Sequence, residues 1–177
     1  MFISPKVAIE EGWITGIKDP EKQVQPNAID FTVDRLFTIK EHNFVIDESH
    51  KRMSGGVEIL AQDYSNLPIV PEGKFWRLDG QTPFDGMSDI YVDVPEGVAA
   101  MLVVRSTFNR NGIFIASGLY DSGFKGHIGF VVYNMAHVSA YVGKGTRIGQ
   151  IVFVESNSVS VYSGGYNHKM GTHFSEK

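Results

Sequence analysis

The second half of the chain reads KFWRLDG (74–80), SDIYVDVP (88–95), GVAAMLVV (97–104), GIFIASG (112–118), GHIGFVVYNM (126–135), VSAYVG (138–143), RIGQIVFVES (147–156) and SVSVYSG (158–164). Each run is rich in Val, Ile, Phe or Tyr, and the runs are separated by Gly, Pro, Asp or Asn. β-Branched and aromatic side chains suit a pleated, half-buried surface, and the separating residues suit turns. Such runs recurring every roughly 8–12 residues predict a mainly β chain: a sandwich, a jelly roll or a distorted barrel. One helical turn is expected among them, over Ser106–Asn111, with Ser106 as cap and Gly112 as its end.

Working outward, residues 47–73 carry Gly55, Gly56, Pro68, Pro71 and Gly73 and read as loops with short strands. In QPNAIDFTVDRLFTI (25–39), Ile29, Phe31, Val33 and Leu36 lie almost on alternate positions, a strand signal. Lys18-Asp19-Pro20 reads as a turn. Before it, Ser4, Pro5 and Gly12 have the order of a helix cap, a first helical residue and a helix stop, with Val7, Ala8 and Trp13 as the apolar face. At the other end, GGYNHKMGTHFSEK (164–177) is Gly-rich and polar and reads as a mobile tail. The expected division is a β domain over 1–162 and a tail over 163–177.

Composition narrows the chemistry. The 177 residues are 42% hydrophobic and 20% charged, which suits one globular domain. A net charge of −4 argues against a broadly basic nucleic-acid binder. The absence of cysteine excludes Cys-ligated zinc, iron–sulfur clusters, thiol nucleophiles and the zinc-dependent deaminase design. The six histidines have no ligand spacing, so no protein-held metal site is expected. No apolar run approaches the roughly 20 residues that span a membrane, and MFISPKVAIEEG lacks the pattern of a signal peptide. The expectation is a soluble, cytoplasmic chain without membrane or nucleic-acid partners.

Four segments could carry chemistry. In VVRSTFNRNG (103–112) an apolar strand runs into Arg105 and Ser106 at a helix start, where backbone N–H groups, a hydroxyl and a guanidinium suit an anion. In SGLYDSGFKGHIGFVVYN (117–134) a hairpin-like loop carries Asp121 between Gly118 and Gly123, a carboxylate able to approach a ligand and orient or deprotonate water. In GTRIGQIVF (145–153) Arg147 and Gln150 flank an apolar strand, with Gly149 permitting close approach. In the tail, Tyr166, Lys169 and Gly171 could close over a phosphate chain. Taken singly, each segment has an ordinary reading: a capped surface turn, a turn aspartate, a strand with one polar face, a disordered end.

Taken together, they resemble the dCTP deaminase/dUTPase superfamily. FISPKVAIEEGWI (2–14) and VQPNAIDFTVDRLF (24–37) look like the amino-terminal helix and QPxxIDxxxD strand of the dCTP deaminase branch. Arg105-Ser106-Thr107 with Arg110 is similar to the RSSLxR segment, GLYDSGFKGHI (118–128) to the hairpin of the catalytic Asp, RIGQ (147–150) to a further shared motif, and YNHKMG (166–171) to the YQxQxG tail. The resemblance implies a dUTPase-like distorted β-barrel or jelly roll with an N-terminal helix and one short helix, assembled as a homotrimer with sites between subunits. It implies a deoxypyrimidine nucleoside triphosphate as substrate, with Mg²⁺ bound through the substrate phosphates. Asp121 would be the catalytic residue. Arg105, Ser106 and Gln150 would bind phosphates, with Thr107 beside them and Arg110 helping to build the base site. Gly118 would lie where the hairpin backbone reads the base. Phe124 would pack on the deoxyribose, and Tyr166 and Lys169 would close over the nucleotide.

One position departs from the pattern. Aligning GHIGFVVYN (126–134) residue by residue puts Val131 where deaminases carry a proton-shuttling Glu, and valine can neither donate nor accept a proton. The segment between Arg105 and Asp121 is also shorter than in typical deaminases. The expectation is therefore a dUTP pyrophosphatase. The alternatives are a dCTP deaminase, a bifunctional deaminase/dUTPase, and a non-catalytic nucleotide-binding regulator.

Overall fold

A computed structural model describes residues 1–39, 47, 56–164 and 167. The chain begins with β1 (Phe2–Ile3), α1 (Pro5–Glu10), β2 (Ile14–Thr15), α2 (Pro20–Gln23), β3 (Ile29–Thr32) and β4 (Arg35–Thr38). The short pair β5 (Glu58–Ile59) and β6 (Gln62–Asp63) follows, then β7 (Lys74–Leu78), β8 (Thr82–Asp93) and β9 (Val98–Val104). The last elements are α3 (Ser106–Arg110), β10 (Ile113–Ala116), β11 (Lys125–Asn134), β12 (Ala140–Gly143) and β13 (Arg147–Glu155).

The protein is mainly β, as the spacing of its apolar runs predicts. Among the described residues the strands form three open sheets and not one closed barrel. A six-stranded sheet runs β10-β11-β8-β4-β5 with β2 against β8. A four-stranded sheet runs β1-β13-β3 with β9 also on β13, and the third runs β12-β7-β6. Strict alternation is clearest on β11, where every second residue from Gly126 to Asn134 is buried. The core gathers Ile29, Phe31, Leu36, Ile90, Ile128, Ile151 and Phe153, all nearly or fully buried, with Phe31 and Phe130 rings 5.0 Å apart. Burying each such side chain contributes about 1.5–3 kcal/mol.

Several local expectations are revised. α1 starts at Pro5 and turns out through Gly12 at φ +73°, but the Ser4 side chain makes no cap and Val7 is exposed, leaving Pro5 and Ala8 as its buried residues. Lys18-Asp19-Pro20 is more than a turn. Asp19 accepts a hydrogen bond from the Lys22 N–H at 3.3 Å, and Pro20 opens the extra helix α2. At α3 the cap position falls to Arg105, without a side-chain cap, while Gly112 ends the turn at φ +75° as expected. β8 begins six residues before SDIYVDVP. SVSVYSG (158–164) is not a strand, with Val159 and Val161 exposed.

Candidate active site

The hairpin β10–β11 is uneven. Its ladder ends at Ala116 opposite Val131, while β11 extends back to Lys125. Beyond that point β11 has no β10 neighbour, and the loop 117–124 arches across the gap. Tyr120 anchors the arch by exchanging backbone hydrogen bonds with Ala100 of β9, both at 2.9 Å. Its hydroxyl donates to the Gly129 carbonyl at 2.8 Å and accepts from the Gly129 N–H at 3.1 Å. One side chain thus satisfies both backbone polar groups of Gly129, just past the end of β10. Burial pushes the Tyr120 phenol up, which keeps it a donor. Phe124 packs edge-on against Tyr120 at 5.0 Å and against Tyr162 at 5.9 Å.

The arch encloses a cleft of about 440 Å³, walled by Ser117, Gly118, Leu119, Phe124, Phe130, Val131, Tyr162 and one carboxylic acid, Asp85. Phe124 is buried. A Cβ at Gly118 would meet nothing within 4 Å, so the fold itself does not demand glycine there. At Gly123 it does: φ is +86°, and a Cβ would stand 3.0 Å from the Val161 Cβ. Gly123 shapes a tight turn closed by the Phe124 N–H bonding to the Asp121 carbonyl at 3.0 Å. The turn uses only the main chain of Asp121 and leaves its carboxylate exposed. That residue borders an adjoining cleft of about 540 Å³ lined by Ser156, Ser158, Ser160 and Ser163, and Leu119 and Tyr162 line both clefts.

A second group forms on the other sheet. Asp30, fully buried on β3, stands opposite Gln150 on β13 and accepts its amide Nε2–H at 2.8 Å. Its second oxygen lies 3.0 Å from Arg147 Nη1 and 3.3 Å from Arg105 Nε. Arg105 Nη1 also donates to the Arg147 carbonyl at 2.9 Å. Two guanidiniums on one carboxylate leave one net positive charge, and both arginine side chains reach partly into solvent. Gly149 serves this packing and not a ligand, since a Cβ there would lie 2.3 Å from the Phe31 ring. Ser106, Thr107 and Arg110 are exposed on α3 beside Arg105.

The residues singled out from sequence therefore fall in two places. Asp121, Gly118 and Phe124 gather at the hairpin; Arg105, Ser106, Thr107, Arg110 and Gln150 gather around Asp30 and α3. Among the described residues no hydrogen bond or ion pair joins the groups, and neither cleft at the hairpin is lined by the second group. Tyr166 and Lys169 lie outside the described residues. Their neighbour Asn167 accepts the Lys125 N–H at 3.0 Å and donates to the Tyr162 carbonyl at 3.3 Å, beside the hairpin. Sequence reading did not single out Asp85, Tyr120 or Tyr162. Asp85 gave no signal, since Pro83 and Gly86 make its segment read as a turn.

Three open sheets, a short helix after β9 and an arched hairpin define a mainly β chain. The sequence model described as dCTP deaminase-like matches residues 6–156. A deoxyuridine 5′-triphosphate nucleotidohydrolase of Methanocaldococcus jannaschii is 31% identical over 147 residues, 82% of this chain and 88% of that protein. A dUMP-forming dCTP deaminase of Bifidobacterium animalis subsp. lactis is 28% identical over 172 residues, 96% of this chain and 84% of that one. The crystal structure of a 2′-deoxycytidine 5′-triphosphate deaminase from Agrobacterium tumefaciens superposes with a TM-score of 0.62 at 15% identity, over 86% of this chain and 46% of that chain. The protein belongs to the dCTP deaminase-like family. The relatives it matches are named for two reactions on deoxypyrimidine nucleotides, one hydrolytic and one deaminating. Among the described residues no helix is long and apolar enough to cross a membrane.

Proposed function

We propose that this protein hydrolyses dUTP to dUMP and pyrophosphate. The observation that carries the reading is Asp121: a carboxylate left free by a main-chain turn, bordering a serine-lined cleft that adjoins, through Leu119 and Tyr162, the apolar-walled cleft beside the exposed hairpin backbone. A planar pyrimidine ring suits such a cleft, and the unpaired backbone groups of the arch can read its edge. Asp121 holds a water and takes its proton as the oxygen attacks the α-phosphorus in line. The bond to the bridging oxygen breaks, and pyrophosphate leaves.

Arg105, Ser106 and Gln150 bind the phosphates, with Thr107 and Arg110 at the same edge. Within one chain they belong to a different group from Asp121, so the reading requires a second copy to complete each site, as in a homotrimer. Exposed Met101 and Val103 on β9 and Phe114 on β10 suit that assembly. Among the described residues no three acidic or His side chains converge. Mg²⁺, brought in with the nucleotide, would supply neutralisation of the charge that develops on the triphosphate. Phe124 packs on the deoxyribose, and Tyr166 and Lys169 fold over the nucleotide. Asn167, bonded beside the hairpin, supports that placing of the tail.

Val131 in the cleft wall supports hydrolysis over deamination, since an aliphatic side chain carries no proton. A panel of deoxynucleoside triphosphates with Mg²⁺, scored for both pyrophosphate and ammonia, tests the reading. Pyrophosphate from dUTP is expected. Ammonia from dCTP as the main product would replace the reading with a deaminase, and binding without either product would replace it with a nucleotide-binding regulator.

A further inference from the structure

Asp85 is the one acid among the described residues that line the hairpin cleft. Pairing registers place it in a single row across four strands: Phe37 on β4, Asp85 on β8, Val131 on β11 and Ala116 on β10. Cross-strand partners project to the same face of a sheet. The carboxyl therefore stands beside Val131 and opens into the cleft that Phe124 and Tyr162 also line. Among the described residues no hydrogen bond or ion pair reaches it.

The described charged and titratable groups that face it are few. On β4, Arg35 lies over the Phe37 ring at 4.8 Å and is held by both oxygens of Glu58 from β5 at 2.8 Å. On β11, Tyr133 shares the face of Val131. From the arch comes Tyr120, its hydroxyl engaged with Gly129, and Tyr162 closes the far wall. Among the described residues no free cation offsets Asp85, and burial pushes its carboxyl up to about 6. A polar group in a mostly apolar pocket fixes the orientation and identity of what binds there.

We propose that Asp85 is the specificity-determining residue of the cleft, contacting the exocyclic group at carbon 4 of the bound pyrimidine. This rests on the reading that the cleft takes the base. Protonated, the acid donates to the uracil carbonyl. Ionised, it repels that carbonyl and accepts from the cytosine amino group. The cleft therefore favours uracil at low pH and shifts toward cytosine as pH rises through about 6.

The test is calorimetric binding of α,β-imido-dUTP and α,β-imido-dCTP with Mg²⁺ to the full chain between pH 5.5 and 8. The two triphosphates titrate alike, so their ionisation cancels in the ratio of affinities. In the wild type the ratio should move toward dCTP by about tenfold across that range, equivalent to ~1.4 kcal/mol. It should stay flat in Asp85→Asn, and Asp85→Leu should weaken both ligands. A flat wild-type ratio overturns the proposal even if no variant folds, as does an unchanged shift in Asp85→Asn. Failure of the wild type to bind either analogue overturns the nucleotide reading itself, a separate result from binding without discrimination.

Discussion

Gln150 and Asp30 face each other across β13 and β3 and are joined by a 2.8 Å hydrogen bond, with Arg147 and Arg105 completing the shell of the same buried carboxylate. The residues expected to hold phosphate are thus fixed by an acid beneath them. Breaking a buried ion pair by removing one partner typically costs about 3–5 kcal/mol, because the remaining charges lose their compensation. Both arginines reach partly into water, so Asp30→Ala should fall near the low end, about 3 kcal/mol in urea unfolding. A loss under 1 kcal/mol would mean that the shell is incidental. Ser106→Ala, on the exposed start of α3, should leave stability unchanged and weaken nucleotide binding.

Asp121→Asn separates catalysis from binding. The main chain that closes the turn is unaltered by this change, and the side chain makes no described contact to lose. Affinity for α,β-imido-dUTP should stay within a few-fold of wild type while pyrophosphate release falls by about 10³-fold or more, the scale of losing a general base together with its hold on water. Retained turnover would remove Asp121 from the chemistry.

Much of this was legible in the sequence, and the misses have physical reasons. The alternation in β11 and the apolar runs of β9 and β13 declare themselves because strand periodicity is local. The first half of β8 does not. Pro83 and Gly86 look like breakers, and only the structure reveals that Gly86 makes room for the Phe130 ring, which a Cβ would approach to 2.4 Å. SVSVYSG alternates like a strand yet finds no ladder; the Tyr162 N–H reaches only the Ser122 carbonyl at 2.7 Å. Asp121 could be named from its motif. The burial of Asp30 and the placing of Asp85 beside Val131 depend on strands distant in sequence, which no local pattern encodes.

Two glycines should behave oppositely. Gly149→Ala drives a methyl into the Phe31 ring at a point where β13 is hydrogen-bonded on both sides. Overpacking of this kind costs about 1–3 kcal/mol. Gly118→Val meets open space in the chain and should fold normally, yet it fills part of the cleft. Thermal unfolding should separate the first from wild type, and nucleotide binding the second. Unimpaired binding by Gly118→Val would place the base elsewhere.

Asp85 also makes stability depend on pH. Its carboxyl is raised from 3.8 to about 6 by burial, so between those values the folded chain binds more protons than the unfolded one. Stability contributed by the neutral acid is therefore present below about pH 4 and lost as pH climbs toward 6. Asp85→Asn is free of that loss. Relative to wild type, it should gain about 1–2 kcal/mol between pH 4 and pH 7 in denaturant titrations. A difference that is constant with pH would show that the carboxyl ionises as freely folded as unfolded.

Tyr120→Phe probes the arch with the smallest available change. The ring keeps its packing on Phe124, but the Gly129 N–H loses its acceptor and the Gly129 carbonyl is left with only Ser117 Oγ, at 3.2 Å. An unsatisfied buried polar group costs about 1–3 kcal/mol. Because the loss falls where β10 has already ended, it should loosen the loop before it unfolds the sheets. Amide exchange should therefore quicken at residues 117–124 and at Gly129 while β11 beyond Val131 stays protected. Nucleotide binding should weaken with it, since the same arch walls the cleft. Equal protection in both proteins would mean that the Ala100 backbone pairing alone holds the hairpin open.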